Sequence, residues 1–248
     1  MVASFSSGAT VRLRRSCDRG FEDFGWTDNW MTFSFGGYHN PDWMNFGPLR
    51  VMVENHIQPH SGFAPHSHRD VEVLTYVVDG TLTHQDSFGH QAEIHAGEMQ
   101  LISAGSQGMI HSEYNHHEQV EHNYQMWLIP DRAPTRFGYH QLRFAEHERQ
   151  GCLKLYVSPD GRDGSMPINT DALIYNGRFE ASDRINYALK PDRGVWLQVV
   201  KGALQVAGHE LLAGDGIGIV DTAHIEANFT DLSEILLFDL KMNAPRIW

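Results

Sequence analysis

Short apolar runs separated by turn residues make up most of the middle of the chain. The run Val71–Val78 is rich in β-branched and aromatic residues and stops at Asp79-Gly80, a strong hairpin signal. Ala96-Gly97 and Ala104-Gly105 end the runs that follow. Such turns recur about every eight to twelve residues, which is typical of an antiparallel sandwich or small barrel with room for one ligand. The pattern predicts an all-β fold.

Part of this pattern occurs twice. The segment Val77–Leu82 (VVDGTL) recurs as Val199–Leu204 (VVKGAL), which indicates corresponding hairpins in two related barrels. The β pattern is interrupted at 130–134, where two prolines and two charges occur together. We therefore predict two domains, residues 1–131 and 132–248, and a length of 248 residues accommodates both.

Charge argues against one class of partner. The formal net charge is -12 at neutral pH, and such a field repels a phosphate backbone. The dense basic cluster formed by Arg12, Arg14 and Arg15 is too short to argue for DNA binding. We predict no direct nucleic-acid partner, and the sequence identifies no protein partner.

The cysteines and the apolar runs of the sequence indicate where in the cell the protein is located. The two cysteines, Cys17 and Cys152, are far apart and lack metal-type spacing, which fits a reducing cytoplasm. Met1–Thr10 is small and polar, without the apolar core of a secretory signal, and no apolar run is long enough to span a membrane. We therefore predict a cytoplasmic protein that does not bind membranes.

The candidate chemistry lies in two short motifs, an H-x-H at His66 and His68 and an H-x-E at His111 and Glu113. Residues i and i+2 of a strand face the same way, so two such strands can form a four-ligand pocket. Three imidazoles and one carboxylate leave one or two positions open for water, substrate or dioxygen. The set suits one divalent transition metal. Fe(II) is favoured, while Mn, Co, Ni, Cu and Zn remain open.

Chance pairs are expected among 16 histidines, so the second half provides a useful comparison. The offset of the repeat puts Ala188 and Lys190 in place of the H-x-H, and neither can bind a metal. His224 and Glu226 imitate the H-x-E, but two ligands alone hold an ion poorly. We predict that the C-terminal domain is degenerate and carries no metal.

Longer stretches resemble a known family. HSHRDVEVLTYVVDGTLTHQDSFG, AGEMQLISAG and HSEYN look like the pirin family of bicupins, above all its bacterial branch of pirin-like quercetin dioxygenases. The resemblance extends from about Gly25 over nearly the whole chain. It implies two tandem cupin (jelly-roll) barrels and places the family's metal ligands on four residues: His66, His68, His111 and Glu113.

The resemblance also implies an activity, the oxygenative opening of the heterocycle of a flavonol such as quercetin, with release of carbon monoxide. Glu113 is the expected catalytic base. Glu72 is the alternative base. Glu72 is also the alternative metal ligand, because the wider cupin superfamily usually takes its carboxylate from the first motif. The pirin pattern favours Glu113, and Glu72 would then either orient a ligating histidine or be a satisfied polar residue of the barrel. A second function also stays open. Eukaryotic pirins are regarded as nuclear cofactors of transcription, so a non-enzymatic, metal-binding interaction module is the alternative.

A flat aromatic substrate requires an apolar entrance to the site. Phe33, Phe35, Trp43, Met44 and Phe46 are candidates for it, and packing in the core or between the domains is the alternative.

Overall fold

The computed structural model describes residues 8–243, and these are almost entirely β-structure. The predicted all-β fold is confirmed. Short 3-10 turns occur at Ser16–Asp18, Glu146–Glu148 and Arg162–Gly164. No helix in the described part of the chain is both long enough and apolar enough to cross a membrane. The first seven residues of the Met1–Thr10 segment, and the outermost ends of both predicted domains, lie outside the described residues.

Twenty-two strands occur in residues 8–243. In chain order they are β1 (Thr10–Arg14), β2 (Gly20–Asp23), β3 (Thr27–Met31), β4 (Leu49–Ile57), β5 (Ser61–His68), β6 (Glu72–Asp79), β7 (Thr81–Asp86), β8 (Gln91–His95), β9 (Glu98–Ser103), β10 (Met109–Asn115), β11 (Glu121–Leu128), β12 (Gly138–Arg143), β13 (Lys154–Ser158), β14 (Met166–Pro167), β15 (Ala172–Phe179), β16 (Arg184–Ala188), β17 (Arg193–Lys201), β18 (Ala203–Val206), β19 (His209–Leu212), β20 (Gly216–Val220), β21 (His224–Phe229) and β22 (Ser233–Lys241).

The strands form two jelly-roll units with the same strand order. The N-terminal unit has a seven-stranded sheet, β12-β9-β6-β11-β4-β3-β2, and a four-stranded sheet, β5-β10-β7-β8. The C-terminal unit repeats this as β1-β20-β17-β22-β15-β13-β14 and β16-β21-β18-β19. Each strand of one unit therefore has a counterpart in the other, as expected of the bicupin that the repeat predicts.

The two units exchange edge strands. β1 pairs with β20, from Thr10 opposite Val220 to Arg14 opposite Gly216. β12 pairs with β9 in the N-terminal sheet, starting with Gly138 opposite Ser103. Each large sheet thus ends in a strand from the other side of the 131/132 division. We keep the division at 131/132 as a proposal, in which each domain contributes one edge strand to the large sheet of the other.

Aromatic residues fill the space between the two large sheets. The indole of Trp196 is fully buried there, with ring centroids at 5.0 Å from Phe33, 5.6 Å from Phe46 and 6.3 Å from Trp43. These three residues therefore pack between the units, which is the alternative that the sequence left open for them. They do not line the site.

The interior of the C-terminal barrel is apolar. Phe179 and Phe229 stack with their ring centroids 4.1 Å apart and belong to a buried aliphatic cluster that includes Leu204. The N-terminal barrel differs, because polar side chains occupy much of its interior, as described next.

Candidate metal centre

The two motifs predicted to bind metal lie on neighbouring strands of the small N-terminal sheet. β10 pairs with β5 so that His111 lies opposite His66 and Met109 lies opposite His68. Along β10 the side chains of Met109, His111 and Glu113 are buried and point inward, whereas Ile110, between Met109 and His111, is exposed. The period of two that defines a strand therefore aims both motifs into one barrel.

Three ring nitrogens converge in that barrel. The Nε2 atoms of His66 and His111 are 2.9 Å apart, and one ligand nitrogen from each of His66, His68 and His111 lies within 4.8 Å of the other two. His66 Nδ1 is 2.9 Å from the carbonyl oxygen of Ala64 and donates to it, which leaves the lone pair on Nε2. This is the tautomer that a metal ligand needs.

The environment keeps two of the imidazoles, those of His68 and His111, neutral. Burial and the neighbouring imidazoles together lower the pKa of His111 to about 3 and that of His68 to about 4. His68 Nε2 and His111 Nδ1 are buried without a hydrogen-bond partner among the described residues. A cation between the three rings would give the His68 lone pair a partner and let His111 carry its proton on Nδ1. The donor set therefore fits a divalent transition metal.

Glu113 lies beside this group but is not part of it. Its Oε2 accepts a 2.7 Å hydrogen bond from Gln125 Nε2, and its Oε1 accepts a 3.3 Å hydrogen bond from Thr75 Oγ1. Glu113 is 1% exposed. Two neutral donors thus hold a buried carboxylate next to three imidazoles, at the wall of a cavity that His66 also lines.

That cavity has a volume of about 180 Å³ and a mostly apolar wall. Its apolar lining consists of Phe24, Met31, Phe35, Val53, Phe63 and Trp127. Of the residues that the sequence suggested for an aromatic entrance, Phe35 alone is in this set. Trp127 could have been found by strand alternation, because it lies two residues after the inward-facing Gln125. Phe63 could not, because it lies three positions before His66 and the register of β5 on β10 shifts between them.

Glu72 lies away from the cavity. Thr75 reaches Glu113, so the alternation of β6 turns Glu72 to the opposite face, towards the C-terminal unit. There Glu72 accepts hydrogen bonds from Ser103 Oγ at 2.6 Å and from Asn169 Nδ2 at 3.0 Å. Burial raises its pKa, against the effect of these hydrogen bonds. The prediction that Glu72 orients a metal ligand is therefore wrong. Glu72 is a satisfied polar residue, which is the other role considered for it.

A second buried carboxyl group, which the sequence did not suggest, lies on β11. Glu121 is fully buried and accepts a 2.7 Å hydrogen bond from Asn123 Nδ2. Glu121, Asn123 and Gln125 lie at alternate positions of β11 and so on the same face of the strand. Burial raises its pKa well above the ordinary value, against that hydrogen bond, and the charge of Glu113 raises it further. Glu121 therefore bonds Asn123 and is not among the residues that line the cavity.

The H-x-E of the second half faces solvent. On β21 His224 and Glu226 are exposed, whereas Ile225 and Ala227 between and beside them are buried. Ala188 lies opposite His224 on β16. The H-x-E of β21 is thus shifted by one residue relative to that of β10, where His111 and Glu113 point inward.

Fold and site together define a bicupin with a histidine-rich metal centre in its N-terminal barrel. Two family models match the chain, one described as pirin over residues 10–128 and one described as the quercetinase C-terminal cupin domain over residues 155–240. The chain belongs to the pirin family.

Named relatives agree with this assignment. The quercetin 2,3-dioxygenase of Escherichia coli strain K12 is 39% identical over 231 residues, which cover 93% of this chain and 98% of that protein. A pirin-like protein of Caulobacter vibrioides is 37% identical over 89% of this chain and 95% of its own length. The crystal structure of the bacterial pirin YhhW from Escherichia coli in complex with nickel(II) superposes with a TM-score of 0.89 at 39% identity, covering 94% of this chain and 99% of that one. These findings support a quercetinase-like, metal-dependent protein with a divalent metal at the cluster.

Proposed function

We propose that this protein is a dioxygenase that opens the heterocycle of a flavonol such as quercetin with dioxygen and releases carbon monoxide. One observation carries the proposal. Three imidazole nitrogens converge beside a buried carboxylate at an aromatic-lined cavity, in a chain 39% identical to a quercetin 2,3-dioxygenase.

We assign His66, His68 and His111 as metal ligands and Glu113 as the fourth. Nitrogen and oxygen ligands with open positions favour Fe(II), and Ni(II) is a second candidate because a relative was crystallised with it. When bound, the metal supplies Lewis acidity towards the 3-hydroxyl of the flavonol and open positions for dioxygen.

The protein side chains position the substrate and take its proton. Gln125 and Thr75 hold the carboxylate of Glu113 at the cavity wall, where it can accept the proton of the 3-hydroxyl. The aromatic wall excludes water and offers flat surfaces for the rings. At about 180 Å³ the cavity is smaller than the roughly 300–1,000 Å³ typical of small-molecule sites, so part of the flavonol would project past Phe24, which is 55% exposed.

The test is aerobic incubation of the metal-loaded protein with quercetin. We expect the flavonol absorbance to bleach and carbon monoxide to be released, and neither change when oxygen is excluded. Protein reconstituted in turn with Fe(II), Mn(II), Co(II) and Ni(II) that consumes no flavonol in any form would exclude this activity. It would favour the regulatory, protein-interaction module instead.

We also propose that the C-terminal domain, residues 132–248, binds no ion of its own. Replacing His224 and Glu226 together by alanine should leave the metal content and the quercetin turnover unchanged, because both side chains face solvent. Elemental analysis of the purified variant and wild type measures this. A loss of half the metal in the variant would contradict the proposal.

A further inference from the structure

A second group of metal-binding side chains lies behind the sheet that backs the cavity. On β4 and β11 the odd-numbered residues, such as Asn55 and Gln125, line the cavity, and the even-numbered ones face the other way. Glu54 and His56 on β4 and His122 on β11 are therefore on the opposite face. Each offers one ligand atom, and these atoms lie within 4.8 Å of one another.

The geometry of this group is that of converging ligands. His56 and His122 are direct partners across the β4–β11 ladder, and their ring centroids are 4.4 Å apart with the planes nearly perpendicular. His122 Nε2 is 2.9 Å from Glu54 Oε1, and His56 Nε2 is 4.0 Å from the same oxygen. The side chains of His56 and His122 are 36% and 17% exposed. An ion could therefore reach the group from solvent.

The protonation states also suit a cation. Burial would raise the pKa of Glu54, but the hydrogen bond from His122 and the charge of Arg19 outweigh it and lower the pKa to about 2. Burial and the neighbouring His122 lower the pKa of His56. The carboxylate is thus charged and His56 is neutral at pH 7, the states that metal binding requires.

Two further charges lie at the group. Arg19 Nη1 is 2.7 Å from Glu54 Oε2, which holds the carboxylate and leaves its Oε1 directed at the histidines, as outer partners of metal ligands do. The charge of Arg19 weakens the attraction for a cation. Asp28 compensates, because it lies directly opposite His56 on β3, at a Cβ spacing of about 4.5–5.5 Å for such cross-strand partners.

We propose that Glu54, His56 and His122 bind a second divalent transition-metal ion, of the zinc type, where the two units meet. Two imidazoles and a carboxylate form a three-ligand set that leaves a position for water. The ion would replace the proton of His122 Nε2, which moves to Nδ1. Ala213 and Gly214 of the C-terminal unit line the same cleft of about 300 Å³. The proposal does not depend on the proposed dioxygenase activity.

Equilibrium dialysis of metal-free protein against saturating Zn²⁺ tests it. We expect two ions per chain in the wild type and one in the double variant His56→Gln, His122→Gln. The double variant His66→Gln, His111→Gln should also bind one ion, because it removes the site in the N-terminal barrel and leaves the site at Glu54, His56 and His122. Equal zinc content in the wild type and the His56/His122 variant would overturn the proposal.

The chain offers a matched control for surface histidines. His95 Nε2 lies 3.9 Å from Glu93 Oε2, and His117 Nε2 lies 3.7 Å from Glu93 Oε1, so this pair contacts two different oxygens and does not converge. His95→Gln with His117→Gln should still bind two ions; loss of the second ion there would overturn the assignment. In the wild type, the ring-nitrogen NMR signals of His56 and His122 should shift with the second equivalent of Zn²⁺. Unmoved signals would exclude the site even if a variant failed to fold.

Discussion

His111→Ala should lose the metal of the N-terminal barrel and, with it, the quercetin turnover. Its Nε2 lies 2.9 Å from that of His66, at the centre of the three-imidazole group. Loss of an outer partner of a metal ligand costs about 10–100-fold in affinity. Loss of a ligand should cost more, so we expect at least about 100-fold weaker metal binding, with turnover falling in parallel.

Thermal unfolding provides a readout that does not depend on activity. A metal at 100 times its dissociation constant stabilises the folded protein by about 2.7 kcal/mol. If the variant binds about 100-fold more weakly, the same metal concentration stabilises it by only about 0.4 kcal/mol. We therefore expect Fe(II) or Ni(II) to raise the melting temperature of the wild type and barely that of His111→Ala.

His209→Ala is the matched control, because it removes a partly exposed imidazole from the C-terminal barrel. It should retain the wild-type response to metal. A melting temperature of His111→Ala that rises with metal as much as the wild type would contradict the ligand assignment.

Strand periodicity explains why so much of this centre can be predicted from sequence. An H-x-H and an H-x-E on strands must each place two side chains on one face, and the register of β10 on β5 then brings the faces together. The repeat at 77–82 and 199–204 likewise predicts two equivalent barrels. Both predictions depend on local spacing, which the sequence displays directly.

Features that depend on long-range pairing could not be predicted in the same way. The exchange of β1 and β12 between the units is set by which sheet edge each strand reaches, and no local pattern records that. The face of Glu72 follows from the phase of β6 relative to Thr75, which is known only once Thr75 is placed beside Glu113. An E-x-H at Glu54 and His56 was present in the sequence, but its third member, His122, is 66 residues away from His56 and joins it only through the β4–β11 ladder.

Glu113→Gln should abolish most quercetin turnover, and the metal content of the variant will distinguish the two roles of this residue. The substitution keeps the shape of the side chain. The amide oxygen can still accept from Gln125 Nε2, and the amide nitrogen can donate to the Thr75 hydroxyl, which can reverse its role. The change therefore removes the negative charge and the proton acceptor with little rearrangement of their neighbours.

We expect turnover to fall by about 10²–10⁴-fold, the usual contribution of a general base. Because the three imidazoles form a group without Glu113, the variant should retain metal, though more weakly bound. Elemental analysis beside the flavonol assay measures both quantities. Glu121→Gln is the control, since that buried carboxyl group bonds Asn123 and does not line the cavity.

Each alternative result has a definite meaning. Full turnover in metal-loaded Glu113→Gln would exclude Glu113 as the base. The 3-hydroxyl would then lose its proton to solvent or to Glu22, which also lines the cavity, because Glu72 lies on the far side of β6 with Ser103 and Asn169. Loss of metal together with turnover would instead make Glu113 chiefly a ligand, and reconstitution at high metal concentration should then restore activity. Turnover that stays lost in fully reloaded protein is the result we expect. Among the described residues Glu22 is the one other carboxylate in the cavity lining, and it lies on β2, whereas Glu113 lies on the same strand as His111.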